Sequence, residues 1–248
     1  VNEKLTVAAV LAAAAVLLAP AAARADRRYY GETYNAVTAP PGGLDVELWS
    51  TLTQPKAGSG DRQFWRHQVE LETGITPRWD VALYNVFDRV QGETLQYQAT
   101  KIETRYRLSD YGEWFVDPVL YLEVKKEWTA DKPLGFEGKL ILGKDVGPLN
   151  VSVNALYELE LIPGGGREHE LGYATGLSYE LAPWVRAGGE VFGAWHKADD
   201  AGDWASEHYA GPAVSFAWGR TWLVLAGGFG LTDTSQKNQL RAIFALQL

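Results

Sequence analysis

The sequence predicts an all-β protein, a transmembrane up-and-down antiparallel β-barrel of about twelve strands. Three observations carry that expectation. Apolar residues recur with period two from Leu44 to Leu248, and no stretch there shows the 3.6-residue period of an amphipathic helix. Turn residues interrupt the alternation at intervals that leave segments of roughly 9–11 residues or slightly more, the length of a tilted membrane-spanning strand. Tryptophans gather at both ends of those segments.

The segment ahead of the alternation is of another kind. Lys4 stands in a short polar start, Leu5 to Leu18 is almost unbroken apolar, and Ala23-Arg24-Ala25 offers small residues two apart before Asp26. This is the pattern of a cleaved secretory signal peptide over 1–25, since the apolar run falls short of the roughly 20 residues of a membrane helix and is followed by Pro20. Residues 26–43 are then expected to form a periplasmic N-terminal segment and 44–248 the barrel. The 248 residues include 26 Gly, 11 Pro and no Cys, which excludes disulfides, thiolate metal sites, a cysteine nucleophile and a lipoprotein anchor. The balance of 23 Lys and Arg against 31 Asp and Glu, net −8, argues against nucleic acid as a partner. A mean hydropathy of −0.19 is compatible with a barrel whose strands average lipid-facing and polar residues.

In chain order, a first strand is expected near 44–53, before the polar link Gln54 to Arg62. Strands near 63–74 and 79–90 flank Ile75-Thr76-Pro77-Arg78, and strands near 94–108 and 113–128 flank Ser109-Asp110-Tyr111-Gly112. In the last of these, Trp114, Val116, Pro118, Leu120, Leu122 and Val124 oppose Asp117, Tyr121, Glu123, Lys125 and Glu127. Strands near 133–145 and 148–162 meet at Val146-Gly147, and the second alternates most cleanly, Leu149, Val151, Val153, Ala155 and Tyr157 against Asn150, Ser152, Asn154 and Glu158. Pairs near 168–181 and 184–197, then near 206–218 and 220–231, meet at Ala182-Pro183 and at Gly219, and a last strand lies near 237–248. Tight links thus alternate with looser ones, among them Thr129 to Lys132, Pro163 to Arg167, Lys197 to Ala205 and Thr232 to Lys237. That rhythm fits an even-stranded barrel with both ends of the chain on the side of the tight turns. Trp79, Trp114, Trp184, Trp218 and Trp222 flank the tight turns while Trp65, Trp128, Trp195 and Trp204 lie toward the loops, the arrangement of two interfacial girdles.

Two stretches carry a family resemblance. Tyr34-Asn35-Ala36-Val37-Thr38-Ala39-Pro40-Pro41-Gly42, followed by Asp45-Val46-Glu47-Leu48-Trp49, resembles the opening of a group of outer-membrane channel and transporter proteins associated with aromatic-degradation pathways. The run from Gln68 through Thr76-Pro77-Arg78-Trp79 to Ala82 resembles their second strand, turn and third strand. The resemblance implies a bacterial outer-membrane β-barrel, hence a Gram-negative outer membrane, and it implies no particular substrate or functional residue.

If the apolar parity faces lipid, the interior receives Glu47, Arg66, Glu70, Lys101, Glu103, Arg105, Asp117, Glu123, Lys125, Glu158, Glu160, Glu170 and Glu190 as candidate pore-lining residues. Such a charge density requires water, counter-ions or cross-strand pairs. Arg66, Arg105, Arg107 and Lys125 stand among acids and are expected to form an ion-pair ladder. The functional expectation is a channel or porin-like barrel for passive passage of small solutes, its lumen acidic and cation-favouring. The alternative is a structural or partner-binding barrel with a plugged lumen. A third reading, a lipid hydrolase, rests on Ser50, His67 and Asn85, which share the outward parity on consecutive strands. A polar patch, continued by Gln96 and Gln98 and contacting a partner subunit or lipid headgroups, is the plainer account of the same residues. The histidines His67, His169, His196 and His208 lack ligand spacing, Gly164-Gly165-Gly166 lacks the residues of a phosphate loop, and no cofactor or metal is expected. Expected partners are outer-membrane lipid and lipopolysaccharide, small solutes and the barrel-assembly machinery, with a homo-oligomer as a further option.

Overall fold

A computed structural model describes residues 27–128, 133–198 and 202–248; the expected signal peptide and the link 129–132 lie outside these. Twelve strands follow one another: β1 (Asp45–Gln54), β2 (Phe64–Thr76), β3 (Trp79–Val90), β4 (Gln96–Arg107), β5 (Asp117–Glu127), β6 (Leu134–Val146), β7 (Leu149–Leu161), β8 (Arg167–Ala182), β9 (Val185–Ala198), β10 (Ala205–Trp218), β11 (Thr221–Gly230) and β12 (Asn238–Gln247). Each pairs antiparallel with its chain neighbours, and β1 pairs with β12 from Asp45↔Gln247 to Gln54↔Asn238, closing the barrel. Closure removes every strand edge, so each ladder hydrogen bond has a partner on both sides. Among the described residues there is no helix.

The alternation sorts the residues between two environments. Asp45, Glu47, Trp49 and Thr51 of β1 are buried while Leu48 between them is half exposed, and the same parity runs around the wall to Ile243 and Ala245 of β12. Outward positions are apolar and exposed, as at Ile102, Leu122, Leu177 and Leu225. Tight hairpins close one end. The link Gly147-Pro148 holds Gly147 at φ 60°, the left-handed value a II′ hairpin requires of its first residue and one that a Cβ disfavours.

Four details depart from the sequence expectation. Residues 113–116 belong to the β4–β5 turn, which is tied by Glu113 N–H to the Asp110 carbonyl (3.0 Å) and Gly112 N–H to Asp117 Oδ1 (2.6 Å), so β5 starts at Asp117. A bulge between Val86↔Ala99 and Phe87↔Tyr97 turns Gln98 inward, where its amide donates to Glu127 (3.0 Å), and pairs Gln96 with Asp88. A bulge reverses side-chain parity and leaves no trace in the alternation pattern. Trp222 points inward and is fully buried, while Trp79, Trp114, Trp184 and Trp218 stay outside. Most of the segment expected to precede the barrel, 26–43, is found inside it: residues 27–39 run through the half of the interior nearest the tight turns, where Arg28, Tyr30, Thr33, Tyr34, Ala36, Thr38 and Ala39 are buried, and Pro40 to Gly42 are exposed as the chain leaves it.

Candidate functional site

Residues 27–39 carry backbone polar groups into a confined interior, and each needs a partner there. The inner wall supplies them. The Glu190 carboxylate on β9 accepts the N–H groups of Gly31, Glu32 and Thr33, each at 2.9 Å, and the Thr33 hydroxyl at 3.1 Å. Successive N–H groups converging on one anion form a concave nest. Asn154 on β7 reads Tyr34 in both directions, its Oδ1 accepting from the Tyr34 N–H (2.6 Å) and its Nδ2 donating to the Tyr34 carbonyl (3.0 Å). The Tyr30 hydroxyl donates to Asn150 Oδ1 (2.8 Å), Ser215 on β10 donates to the Arg28 carbonyl (2.7 Å), and Asp80 on β3 accepts from the Ala39 N–H (2.8 Å). Arg241 on β12 donates to the Gly31 carbonyl (2.9 Å) and pairs with Glu32 (2.7 Å). The segment is therefore bound around the circumference of the barrel.

Shape complements these bonds. A Cβ on Gly176 would lie 2.5 Å from the Tyr30 ring, and one on Gly143 would lie 2.7 Å from the Ala36 Cβ. Both glycines make room for the segment by lacking a side chain. Tyr34 and Ala36 complete a small apolar cluster with Val119, Tyr121 and Ile141, and a second cluster joins Trp49, Ala82, Tyr84, Trp222, Val224, Ile243 and Ala245. The Arg28 guanidinium lies 3.7 Å from the Tyr34 ring centroid and 4.4 Å from that of Trp49.

The candidate lining residues divide by depth. Glu47, Glu70, Glu103, Arg105, Asp117, Glu123 and Glu190 are buried, whereas Arg66, Lys101, Lys125, Glu158, Glu160 and Glu170 keep partial exposure on the same inner face. Arg105 grips Asp80 with two hydrogen bonds (3.0 and 2.8 Å), contacts Glu72, and lies 3.4 Å from Glu103. Arg66 clasps Asp88 with two hydrogen bonds of 2.9 and 2.8 Å, Lys101 pairs with Glu123 (3.0 Å), and Lys125 pairs with Glu158 (2.8 Å) and Glu160. Arg107 stands apart from the expected ladder, donating to the Pro77 carbonyl (2.7 Å) in the β2–β3 turn. Glu47, Glu70 and Glu72 form the only carboxylate trio among the described residues whose oxygens all lie within 4.8 Å of one another. Protein groups already engage it: Trp49 Nε1 donates to Glu47 (3.0 Å) and Glu70 (2.9 Å), and Arg105 contacts Glu72.

Register links depth to the open end. Glu103, Glu123, Glu137, Glu158 and Glu170 stand directly opposite one another on β4 to β8, and Glu170 faces His196 on β9. Like charges in direct opposition repel, and Lys101, Lys125 and Lys139 sit between them, Lys139 reaching Glu137 at 2.6 Å. Because barrel strands tilt, a row of opposed residues climbs the wall. This row leads into open space. A cavity of about 390 Å³ has Glu32, Asn154, Tyr209 and Arg241 in its lining, and it shares Arg66, Glu170 and His196 with one of about 470 Å³ bordered by Glu158, Glu160 and Glu168. His196 Nδ1 lies 3.0 Å from Glu170.

Ser50, His67 and Asn85 all face outward, and Ser50 is directly opposite His67. Asn85 stands opposite Val69 instead, its Oδ1 accepts from the Tyr97 hydroxyl (3.1 Å), and the His67 ring stacks on Trp65. Among the described residues no hydrogen bond joins the three, so the base lacks its orienting amide. Sequence reasoning missed Arg28, Tyr30, Tyr34, Asn154 and the wall glycines as a set. The one local signal was a segment rich in Arg and Tyr, Arg27-Arg28-Tyr29-Tyr30, directly after an expected cleavage site.

No protein-family model matches the chain, and no curated protein matches it. Solved structures do. A crystal structure of an outer-membrane channel from Pseudomonas putida F1 is similar with a TM-score of 0.61 at 11% identity, over 86% of this chain and 98% of that one. The NanC porin aligns with a TM-score of 0.55 at 12% identity, over 83% and 100%, and the KdgM porin with 0.50 at 11%, over 82% and 97%. What is shared at these identities is the fold.

Proposed function

We propose that the protein is an outer-membrane channel for passive passage of small solutes, with a lumen that favours cations and an inner end narrowed by residues 27–43. The observation that carries this reading is the ribbon of opposed glutamates running from Glu103, deep in the barrel, to Glu170 at the open cavities. A charged inner face against an apolar outer one suits water inside and hydrocarbon outside. Carboxylates in a narrow aqueous passage concentrate cations. The similarity of fold to proteins described as porins and channels supports the same reading. The tight turns then face the periplasm and the longer loops the exterior. Small solutes, membrane lipid and the assembly machinery are the partners this placement calls for.

The bound segment favours a second reading, a barrel whose lumen stays plugged. Planar-bilayer recording separates the two. The channel reading expects the intact barrel to conduct, with a conductance that rises when 27–43 are removed and a reversal potential favouring cations under a salt gradient. A correctly folded intact barrel that is silent, whether or not it conducts once the segment is removed, would overturn it.

A further inference from the structure

The outer wall carries a charge pattern that passage through the lumen does not use. Every Asp and Glu within the described strands has inward parity, whereas the charged residues at outward positions are Arg89, Lys126, Lys144, Arg167 and Lys197, all basic. Four of them lie toward the loop end. Lys144 alone lies toward the tight turns, where its Nζ donates to the Trp114 carbonyl (2.6 Å). A one-sided sorting of this kind matches a surrounding layer of negative charge at the loop end.

On β2 to β5 two of these cations, Arg89 and Lys126, frame a hydrogen-bonding patch. The exposed Arg89 guanidinium lies 5.5 Å from the Trp65 ring, and Trp65 stacks on His67 at 6.1 Å with planes 13° apart. Ser50 is directly opposite His67. Next to them the Tyr97 hydroxyl bonds Asn85 Oδ1 (3.1 Å) and Thr100 Oγ1 (2.5 Å), and Trp128 Nε1 donates to Thr100 (3.0 Å). The exposed Lys126 stands directly opposite Thr100. Hydroxyl, amide and imidazole groups are costly against hydrocarbon, so this patch belongs at headgroup depth, where charged outward side chains are tolerated.

We propose that this face binds the phosphorylated headgroup of an outer-leaflet glycolipid, Arg89 and Lys126 holding phosphate while Ser50, Asn85 and Thr100 meet sugar hydroxyls. Arginine forks suit phosphate oxygens, and lysine supplies a point charge. The inference rests on the membrane placement argued above and not on conduction.

Native mass spectrometry of the full barrel in neutral detergent tests it. The probes are a bis-phosphorylated, hexa-acylated glucosamine disaccharide and its dephosphorylated counterpart. The barrel should retain the phosphorylated form preferentially and release it at high salt. Arg89→Gln with Lys126→Gln should lower retention roughly tenfold or more, and Lys144→Gln should leave it unchanged. Equal retention of both probes, or undiminished retention by the folded double variant, would overturn the proposal. If the double variant does not fold, the wild type decides: salt-insensitive binding or indifference to phosphate rejects the site. Failure of the membrane placement would read out separately, as a folded barrel that enters no lipid vesicle of any composition.

Discussion

The two halves of the barrel interior are built from the same alternating strands and hold opposite contents. The half nearest the tight turns is packed like a protein core, with Tyr34, Tyr121, Ile141, Trp222 and Ile243 buried and Arg105 clasped by acids. The half nearest the loops is open, with Glu158, Glu160 and Glu170 beside cavities. Inward parity alone therefore does not decide whether a side chain meets water. What separates the halves is residues 27–43, which supply donors to Glu190 and apolar bulk to the lower half.

Removing 27–43 is the strongest way to break the contrast. It should turn the lower half into open lumen, and single-channel conductance should rise by roughly an order of magnitude, as field and access in a pore follow its narrowest part. Arg105→Ala should come next. It strands Asp80, Glu72 and Glu103 in a buried setting, and removing one member of such a cluster costs about 3–5 kcal/mol, read as a shift in urea unfolding of the vesicle-inserted barrel. Glu190→Ala should loosen the segment without unfolding the wall, because each buried N–H left without an acceptor costs about 1–3 kcal/mol. Amide exchange at Gly31, Glu32 and Thr33 should accelerate while that of β9 stays slow.

Subtler changes sharpen the comparison from the open side. Glu158→Gln combined with Glu170→Gln should shift the reversal potential toward zero, whereas Glu123→Gln should change it little, because Glu123 is buried against Lys101. The smallest effect is expected at the turns. A hydrogen bond from Arg78 (2.8 Å) holds the Asp110 carboxyl below the usual carboxylate range. A lowered folded-state value stabilises the protein above the ordinary Asp range, and the benefit fades as pH falls through the lowered value. Asp110→Asn should therefore reduce the thermal midpoint slightly at neutral pH, and the difference should vanish on acidification.

The strand count and their approximate limits were legible because alternation is a local property: Leu149 to Leu161 shows its two faces without reference to any neighbour. The turns were legible for the same reason, since Gly147 and Gly219 sit at positive φ in two-residue links. Gln98 and Trp222 were misread for complementary reasons. A single extra residue in a ladder reverses parity on one side of it, and a tryptophan beside a turn has the same local sequence whether it faces lipid or core.

Sequence by itself determined that this chain forms a closed-barrel pattern of about twelve strands with acids on one face and apolar residues on the other. Only the tertiary structure decided what fills the enclosed space. The bonds that seat 27–43 join residues far apart in the chain, Tyr30 to Asn150, Gly31 to Glu190 and Arg28 to Ser215. No periodicity encodes such pairings, because they depend on how the closed wall brings β7, β9 and β10 around one axis. The opposed glutamates are of the same kind: Glu123, Glu158 and Glu170 are visible as inward acids in the sequence, but their level alignment follows from strand register, which cross-strand hydrogen bonding and closure set.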